Sequence, residues 1–283
     1  MAIRQITIIG TGLIGGSLGL ALKKYGFDGR VVGCDRDQVL EQARRRGVID
    51  AGETNPEAAV RGSDVVVLAT PVGSIIDLIE KLGPILPPPA LLTDVGSTKA
   101  EISARARNVF GNDIKQRFLA GHPMAGKESS GVEFADADLF RGGVWLITPF
   151  EGQDFHTGVC GEYASLIEST GARLLAVDPA RHDELCAWLS HLPQMVSTGL
   201  ASTLLDVLGD YPEASAIGGR ALREMTRIAH SPYSMWRDIA LTNTEHIQQA
   251  LLRLEQRLAH IRENLRTAEL REEFERGNRF RRE

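Results

Sequence analysis

A doubly wound α/β sheet over residues 1–178, followed by an all-helical segment over 179–283, is the fold that this sequence predicts. Three observations carry it. Apolar runs of strand length alternate with amphipathic runs of helix length as far as Pro179, which is the pattern of a parallel sheet with crossover helices. A glycine-rich turn follows the first of those runs. Beyond Pro179 the strand-like runs stop and apolar residues recur at helical spacing.

The elements follow in order. Residues 3–9, IRQITII, form a strand that enters GTGLIGGS, and LGLALKKYGF is the apolar helix beyond it. RVVGCD is a second strand ending at Asp35, and DQVLEQARRRGV is a helix. SDVVVLATP reads as the third strand, buried on both faces because no polar residue alternates along it. VGSIIDLIEKLGPIL is helical, and the prolines at 87–89 end that region. ALLTDVGS is a strand, TKAEISARARNVFG a helix and RFLAGHP another short strand. GGVWLITP and GARLLAVD complete the sheet, with a helix in 155–170 between them. In the second part ARHDELCAWLSHLPQMVSTGLASTLLD is helical, GDYPEASAIGG is looser, and RALREMTRIA is helical again. From Thr242, residues Ile247, Leu251, Leu254, Leu258, Ile261 and Leu265 lay a narrow stripe on one helix face, with Thr242 and Glu245 placed for a capping box. That stripe packs within the domain or forms a dimer seam, and a homodimer through the helical half is the expectation. LREEFERGNRFRRE is expected to be a charged, frayed tail.

The bulk numbers bound the function. A chain of 283 residues suits one large domain or two modest ones, and 43% hydrophobic with 24% charged residues is globular. A net charge of −5 argues against nucleic acid or an anionic membrane surface as the main partner, though not against a small anion. Cys34, Cys160 and Cys186 form no CxxC and no metal spacing, so reduced thiols and no metal site are expected. The first strand leaves no room for a signal peptide, and no apolar run approaches the roughly 20 residues of a membrane helix. A soluble, cytoplasmic protein is the expectation.

IIGTGLIGGS carries G-x-G-x-x-G: Gly10 for the tight turn, Gly12 for close approach of a pyrophosphate, Gly15 for helix–strand packing. With Leu13 and Ile14 these residues open a helix whose free N–H groups and positive dipole end suit phosphate. Alone the motif is weak, but here a strand precedes it and a helix follows. Asp35 closes the second strand twenty residues after Gly15, placed to accept from both ribose hydroxyls and to repel a 2′-phosphate. A Rossmann-type dinucleotide domain taking NAD is therefore predicted, with NADP possible because Arg36 lies beside the acid. ATPV, residues 69–72, puts Thr70 and Pro71 at the next strand end, where they shape the cofactor crevice.

Two further strand ends on that edge are polar: DVGSTK, with Ser97 and Lys99, and GHPMAGKE, with His122, Lys127 and Glu128. His122 has no amphipathic face to hide on, so it is either a solvated residue or the one the segment exists to present. The helical half adds HDELCAWLSHLPQ and EMTRIAHSPYSMW. Together GTGLIGGSLG, ATPV, DVGSTK, GHPMAGKESSG, HD…SHLP and TRIA…MWRD, in this order over almost the whole chain, resemble the prephenate and arogenate dehydrogenase family of tyrosine biosynthesis.

The resemblance implies a dinucleotide domain followed by a helical dimerisation domain, and NAD-dependent oxidative decarboxylation of prephenate to 4-hydroxyphenylpyruvate. By residue match, His122 is the catalytic base and is expected to titrate near neutral pH. Ser97 orients the ring hydroxyl, or caps the helix that follows. Arg227 grips a substrate carboxylate, which its fixed fork suits better than a lysine would. Glu128 lies near the pocket mouth, and Trp236 walls the pocket or sits in a core. His182 and His191 are expected to be satisfied structural histidines, and Lys99 and Lys127 exposed lysines. Gln194 is a departure: many prephenate-specific relatives have histidine in its place, and an amide cannot become cationic. Arogenate or dual cyclohexadienyl activity is therefore the alternative. The chain is also expected to lack a mutase bundle and a regulatory module, so that tyrosine feedback would act at or near the active site. Dehydrogenases of the β-hydroxyacid and 6-phosphogluconate type resemble one another in using a lysine from the helical half, and no lysine follows Lys127. A non-catalytic NAD-binding sensor needs neither base nor carboxylate clamp.

Overall fold

The computed structural model describes residues 3–127, 129–211 and 213–282. The strands are β1 Gln5–Ile9, β2 Arg30–Cys34, β3 Ala51–Glu53, β4 Val65–Leu68, β5 Leu91–Asp94, β6 Phe118–Pro123, β7 Val144–Thr148 and β8 Arg173–Ala176. Among the described residues they form one sheet in the order β3-β2-β1-β4-β5-β6-β7-β8. Every neighbouring pair is parallel except β6 and β7, where His122 lies opposite Leu146 in an antiparallel register. Around the sheet lie α1 Leu13–Lys24, α2 Asp37–Arg45, α3 Pro56–Ala59, α4 Val72–Leu82, α5 Ala100–Phe110, α6 Ile114–Arg117 and α7 Gly158–Ser169.

The alternation of side chains along each strand builds a core on each face. Val65 and Val67 of β4 join Ile6, Ile8, Leu18, Leu22, Tyr163 and Ile167 on the side of α1 and α7. Val66 and Leu68 point the other way, to Ile75, Ile79, Ile102, Ala106 and Phe118 on the side of α4 and α5. Helix α4 buries Val72, Ile75, Ile76, Ile79 and Leu82, a stripe at three- and four-residue spacing. At about 1.5–3 kcal/mol per large apolar side chain, that stripe contributes roughly 10 kcal/mol before conformational entropy is subtracted.

Among the described residues all later elements are helical, including α8 Pro179–Cys186, α9 Leu192–Leu208, α10 Ala214–Ile217, α11 Arg220–Thr226, α12 Tyr233–Thr242, α13 Thr244–Glu263 and α14 Ala268–Arg282. Their shared core is small, with Ala187, Ile239 and Ile247 buried and Met195 and Trp236 packed against them. Among the described residues no helix is long and apolar enough to cross a membrane.

Several elements differ from the sequence expectation. The strand β3 is additional, so the buried run SDVVVLATP is the fourth strand; three half-buried residues, Ala-Gly-Glu, carry no apolar signal. The long helix after Pro179 is broken into α8 and α9 by a π-helical segment, Ala187–His191. The capping box at Thr242 and Glu245 does not form. Thr242 ends α12, bonding the Asp238 carbonyl, and α13 starts after Asn243 with no side-chain cap. The charged tail is helical as α14, tied to α13 by Arg257–Glu273 at 2.6 Å and His260–Glu269 at 3.5 Å.

Candidate active site

The strand order reverses between β2-β1 and β4-β5, so a crevice opens outside the carboxyl ends of β1 and β4. The three glycines there are demanded by three different constraints. Gly10 has φ +92°, and a Cβ on it would stand 2.4 Å from the Ala69 carbonyl oxygen that follows β4. At Gly15 a Cβ would meet the Gly10 carbonyl oxygen at 2.0 Å and Ile8 at 2.8 Å, because α1 packs directly on β1. At Gly12 it would meet nothing within 4 Å. Gly12 is the N-cap of α1 with no side-chain cap and no acid in the first turn, so the helix presents its unpaired N–H groups to open space. Leu13 and Ile14, half-buried, open that turn, and Ile14 packs on the core beneath. Asp35, at the end of β2, accepts from the Thr11 backbone N–H at 2.8 Å and from that of Arg36 at 2.8 Å. Pro71 precedes α4, and the buried Thr70 hydroxyl beside Gly10 finds no partner among the described residues. An open cradle at a helix N-terminus, an acid at the neighbouring strand end and an unpaired hydroxyl fit a dinucleotide.

The helical half is fastened to the next strand ends by carboxylates. Asp183 of α8 accepts from the backbone N–H groups of Lys99 and Ala100, at 2.7 and 2.8 Å, and so caps α5. Asp238 of α12 does the same for α4 through Gly73 N–H at 3.0 Å. Thr98 and Thr242 pair their hydroxyls at 2.8 Å between these two points. Each carboxylate meets the positive end of a helix dipole, so docking and capping are one interaction. Ser97 is therefore not the cap of α5; it is half-buried, one turn of chain before it.

His122 lies at the end of β6 and is 8% exposed, buried rather than presented on a loop. Its Nδ1 is 2.9 Å from Nε2 of His182, whose Nδ1 is 2.7 Å from Asp183 Oδ1. A carboxylate only accepts, so His182 carries its proton on Nδ1 and offers a lone pair at Nε2. His122 must then donate from Nδ1, which leaves the lone pair on its Nε2. Burial first, then the positive charge risked on His182, Lys99 and His191, holds the His122 imidazole well below its ordinary pKa. The expectation of titration near neutrality is thereby corrected: His122 is already neutral there. His182 is lowered as well, by burial, against the opposing bond to Asp183.

Lys99 is not an exposed lysine. It is fully buried and ion-paired with Asp94, also fully buried, at the end of β5. Cys186, one turn after His182, has Sγ 3.6 Å from His182 Nε2 and 4.0 Å from His122 Nδ1, and burial pushes its thiol up to about 12. His191 is fully buried, with its Nδ1 3.2 Å from the Asn243 amide nitrogen and a backbone hydrogen bond with Ser97 that opposes the effect of burial. Burial lowers it to about 4. Trp236 stands edge-on to it at 5.9 Å and rests on the small helical core; its buried Nε1 is unpaired among the described residues.

Gln194 is 5% exposed and spends its amide N–H on the Ile228 carbonyl at 2.9 Å and on Thr198 at 3.2 Å. It thereby ties α9 to the 3-10 turn Arg227–His230, on which Arg227 is exposed. Lys127 is held by Asp136 at 3.1 Å. Glu128 lies outside the described residues. Sequence reading missed Asp94, Asp183, Asp238 and Cys186. Asp183 and Cys186 had a signal in their places beside and four residues after His182 in HDELC, and Asp94 in its place five residues before Lys99 in DVGSTK; Asp238 pairs with Gly73, 165 positions away along the chain.

Two family models match the chain: one described as prephenate dehydrogenase, nucleotide-binding domain, over residues 18–176, and one as prephenate dehydrogenase, dimerization domain, over residues 178–278. The prephenate dehydrogenase of Lactococcus lactis is 32% identical over 86% of this chain, and that of Bacillus subtilis 34% identical over 86%. The matched parts span 66% and 65% of those two proteins. A crystal structure of prephenate dehydrogenase from A. aeolicus, in complex with hydroxyphenyl propionate and NAD+, superposes with a TM-score of 0.86 at 31% identity, covering 100% of this chain and 98% of that one.

Proposed function

Because the chain belongs to the prephenate dehydrogenase family, we propose that it oxidises and decarboxylates prephenate to 4-hydroxyphenylpyruvate with NAD as the hydride acceptor. The observation that carries this reading is the line Asp183–His182–His122, which fixes a neutral imidazole with its lone pair on Nε2 at the carboxyl edge of the sheet, two strand ends from the dinucleotide crevice.

Prephenate is a cyclohexadiene with a ring hydroxyl opposite a ring carbon that bears a carboxylate and a pyruvyl group. Nicotinamide, when bound, supplies the acceptor for the hydride leaving the carbinol carbon. His122 Nε2 takes the hydroxyl proton, the C–C bond to the ring carboxylate breaks to release carbon dioxide as its electron pair makes the ring aromatic, and the proton returns from His122 to the phenolate oxygen so formed. A placed general base of this kind contributes about 10²–10⁴-fold. Ser97, freed from the helix cap, is the hydroxyl that orients the carbinol, and Arg227 the group that takes a substrate carboxylate. Gln194 serves the pocket through its bond to Ile228, which holds the turn carrying Arg227, and Trp236 closes the wall behind His191. Asp35 selects NAD over NADP by repelling a 2′-phosphate, with Gly10, Gly12, Leu13, Ile14, Gly15, Thr70 and Pro71 framing the cofactor.

The division at 178/179 is supported by the end of the last strand at Ala176 and the start of α8 at Pro179. A homodimer through the helical half is supported by the matched dimerisation domain and by Leu205, Ile217 and Leu241, which are 71%, 80% and 71% exposed on helices with little core of their own. A cytoplasmic location is supported by three buried cysteines left as free thiols.

Initial rates over a two-by-two grid of prephenate or arogenate with NAD or NADP test the proposal. Reduction of NAD by prephenate is expected to dominate. Equal turnover of arogenate would move the assignment to a dual cyclohexadienyl dehydrogenase, and cofactor binding without turnover of either acid would move it to a sensor.

A further inference from the structure

The geometry points to a Zn2+ site formed by His122 Nδ1, His182 Nε2 and Cys186 Sγ, at which the ion switches the His122 imidazole off. These three buried ligand atoms lie within 4.8 Å of one another. Their separations are 2.9, 3.6 and 4.0 Å, so the point equidistant from all three is about 2.1 Å from each. Zinc bonds to imidazole nitrogen are about 2.0–2.1 Å and to thiolate sulfur about 2.3 Å, so a small shift away from the sulfur satisfies every bond. Two imidazoles and a thiolate select zinc over magnesium or calcium, which take oxygen ligands. The set has the usual outer partner too. His182 binds through Nε2 while its Nδ1–H donates to Asp183 at 2.7 Å, the carboxylate–histidine arrangement that fixes a ligand's tautomer. His182 and Cys186 stand one turn apart on one face of α8, and His122 comes from the end of β6, so the ion also pins the two halves of the chain together.

Binding has a balanced proton count. The thiol proton of Cys186 leaves to solvent as the Zn–S bond forms. The Nδ1 proton of His122 gives way to the ion, and the ring takes a proton back on Nε2. Nothing is oxidised or reduced. The lone pair that would accept the substrate proton is thereby converted to an N–H donor. Inhibition therefore rests on the proposed dehydrogenase reaction, whereas binding does not.

Metal-free protein titrated with Co2+ alone reads binding without activity. One equivalent is expected to raise a thiolate-to-cobalt charge-transfer band, which Zn2+ then abolishes by displacement. The band is expected to persist in Cys34→Ala and Cys160→Ala and to vanish in Cys186→Ala. In parallel, Zn2+ is expected to inhibit the wild-type dehydrogenase at a concentration at least ten-fold below that needed for Cys186→Ala. Absence of the band, or its survival in Cys186→Ala, overturns the site. A Cys186-dependent band with equal zinc sensitivity of the two enzymes overturns the switch. X-ray absorption of the zinc-loaded wild type provides a reading independent of any variant: a first shell without two nitrogens and one sulfur from the protein overturns the proposal.

Discussion

Asp183 performs two tasks with one carboxylate: it caps α5 through Lys99 and Ala100, and it sets the tautomer of His182. Replacing it therefore has two separable consequences. Asp183→Ala is expected to lower stability by about 1 kcal/mol or more through the lost cap, read by thermal melting. It is also expected to lower kcat, because His182 loses the acceptor that keeps its Nε2 free for His122. An unchanged kcat in a folded Asp183→Ala enzyme would break the argument that the imidazole line fixes the base. His122→Asn removes the proposed base while keeping a small polar side chain. Its turnover is expected to fall by about 10²–10⁴-fold with cofactor affinity preserved, measured by steady-state rates and by equilibrium binding.

At the level of elements, the turn between β1 and α1 separates two kinds of glycine by experiment. Gly15→Ala drives a methyl into the Gly10 carbonyl and Ile8, where backbone leaves little room to give, and is expected to cost about 1–3 kcal/mol of stability. Gly12→Ala has open space around the new methyl, so the melting temperature is expected to stay near wild type. Cofactor affinity is expected to fall, because the methyl stands where the pyrophosphate approaches the helix N-terminus. Calorimetry of both variants, with and without NAD, checks this; a large loss of melting temperature in Gly12→Ala would refute the assignment of its space to the cofactor. The π-helical segment Ala187–His191 is the other element of note, since it joins α8 to α9 and ends on His191, which stands edge-on to Trp236.

For the whole molecule, buried neutral histidines tie stability to pH. His191 falls from 6.5 to about 4 on folding, and His122 and His182 shift in the same direction. The unfolded chain then binds more protons than the native one below pH 6.5. Their neutral form is stable in the fold above that value, and stability is lost as pH falls from 6.5 toward 4, by about 3 kcal/mol for His191 alone. Melting temperature measured across that window is expected to drop in wild type and to drop less in His191→Gln. The scant core of the helical half supports the proposed homodimer. Along the predicted stripe Ile247 is buried, but Leu251 and Leu258 are 38% and 56% exposed. Leu258→Glu is expected to shift the protein toward monomer in sedimentation velocity, and an unaltered dimer would place the seam elsewhere.

What the sequence determined by itself is whatever depends on neighbours along the chain. Strand and helix order followed from apolar period, the phosphate-type turn from glycine spacing, and the stretch around His122 from its lack of any amphipathic face. The short β3 escaped because three half-buried residues carry no period, and the capping box failed because Thr242 was drawn into α12 and toward Thr98. Only the tertiary structure decided that Lys99 is buried against Asp94, that Asp183 and Asp238 cap helices 83 and 165 residues away, and that His122 is neutral. Burial and long-range pairing set charge state and tautomer, and neither is written in local spacing.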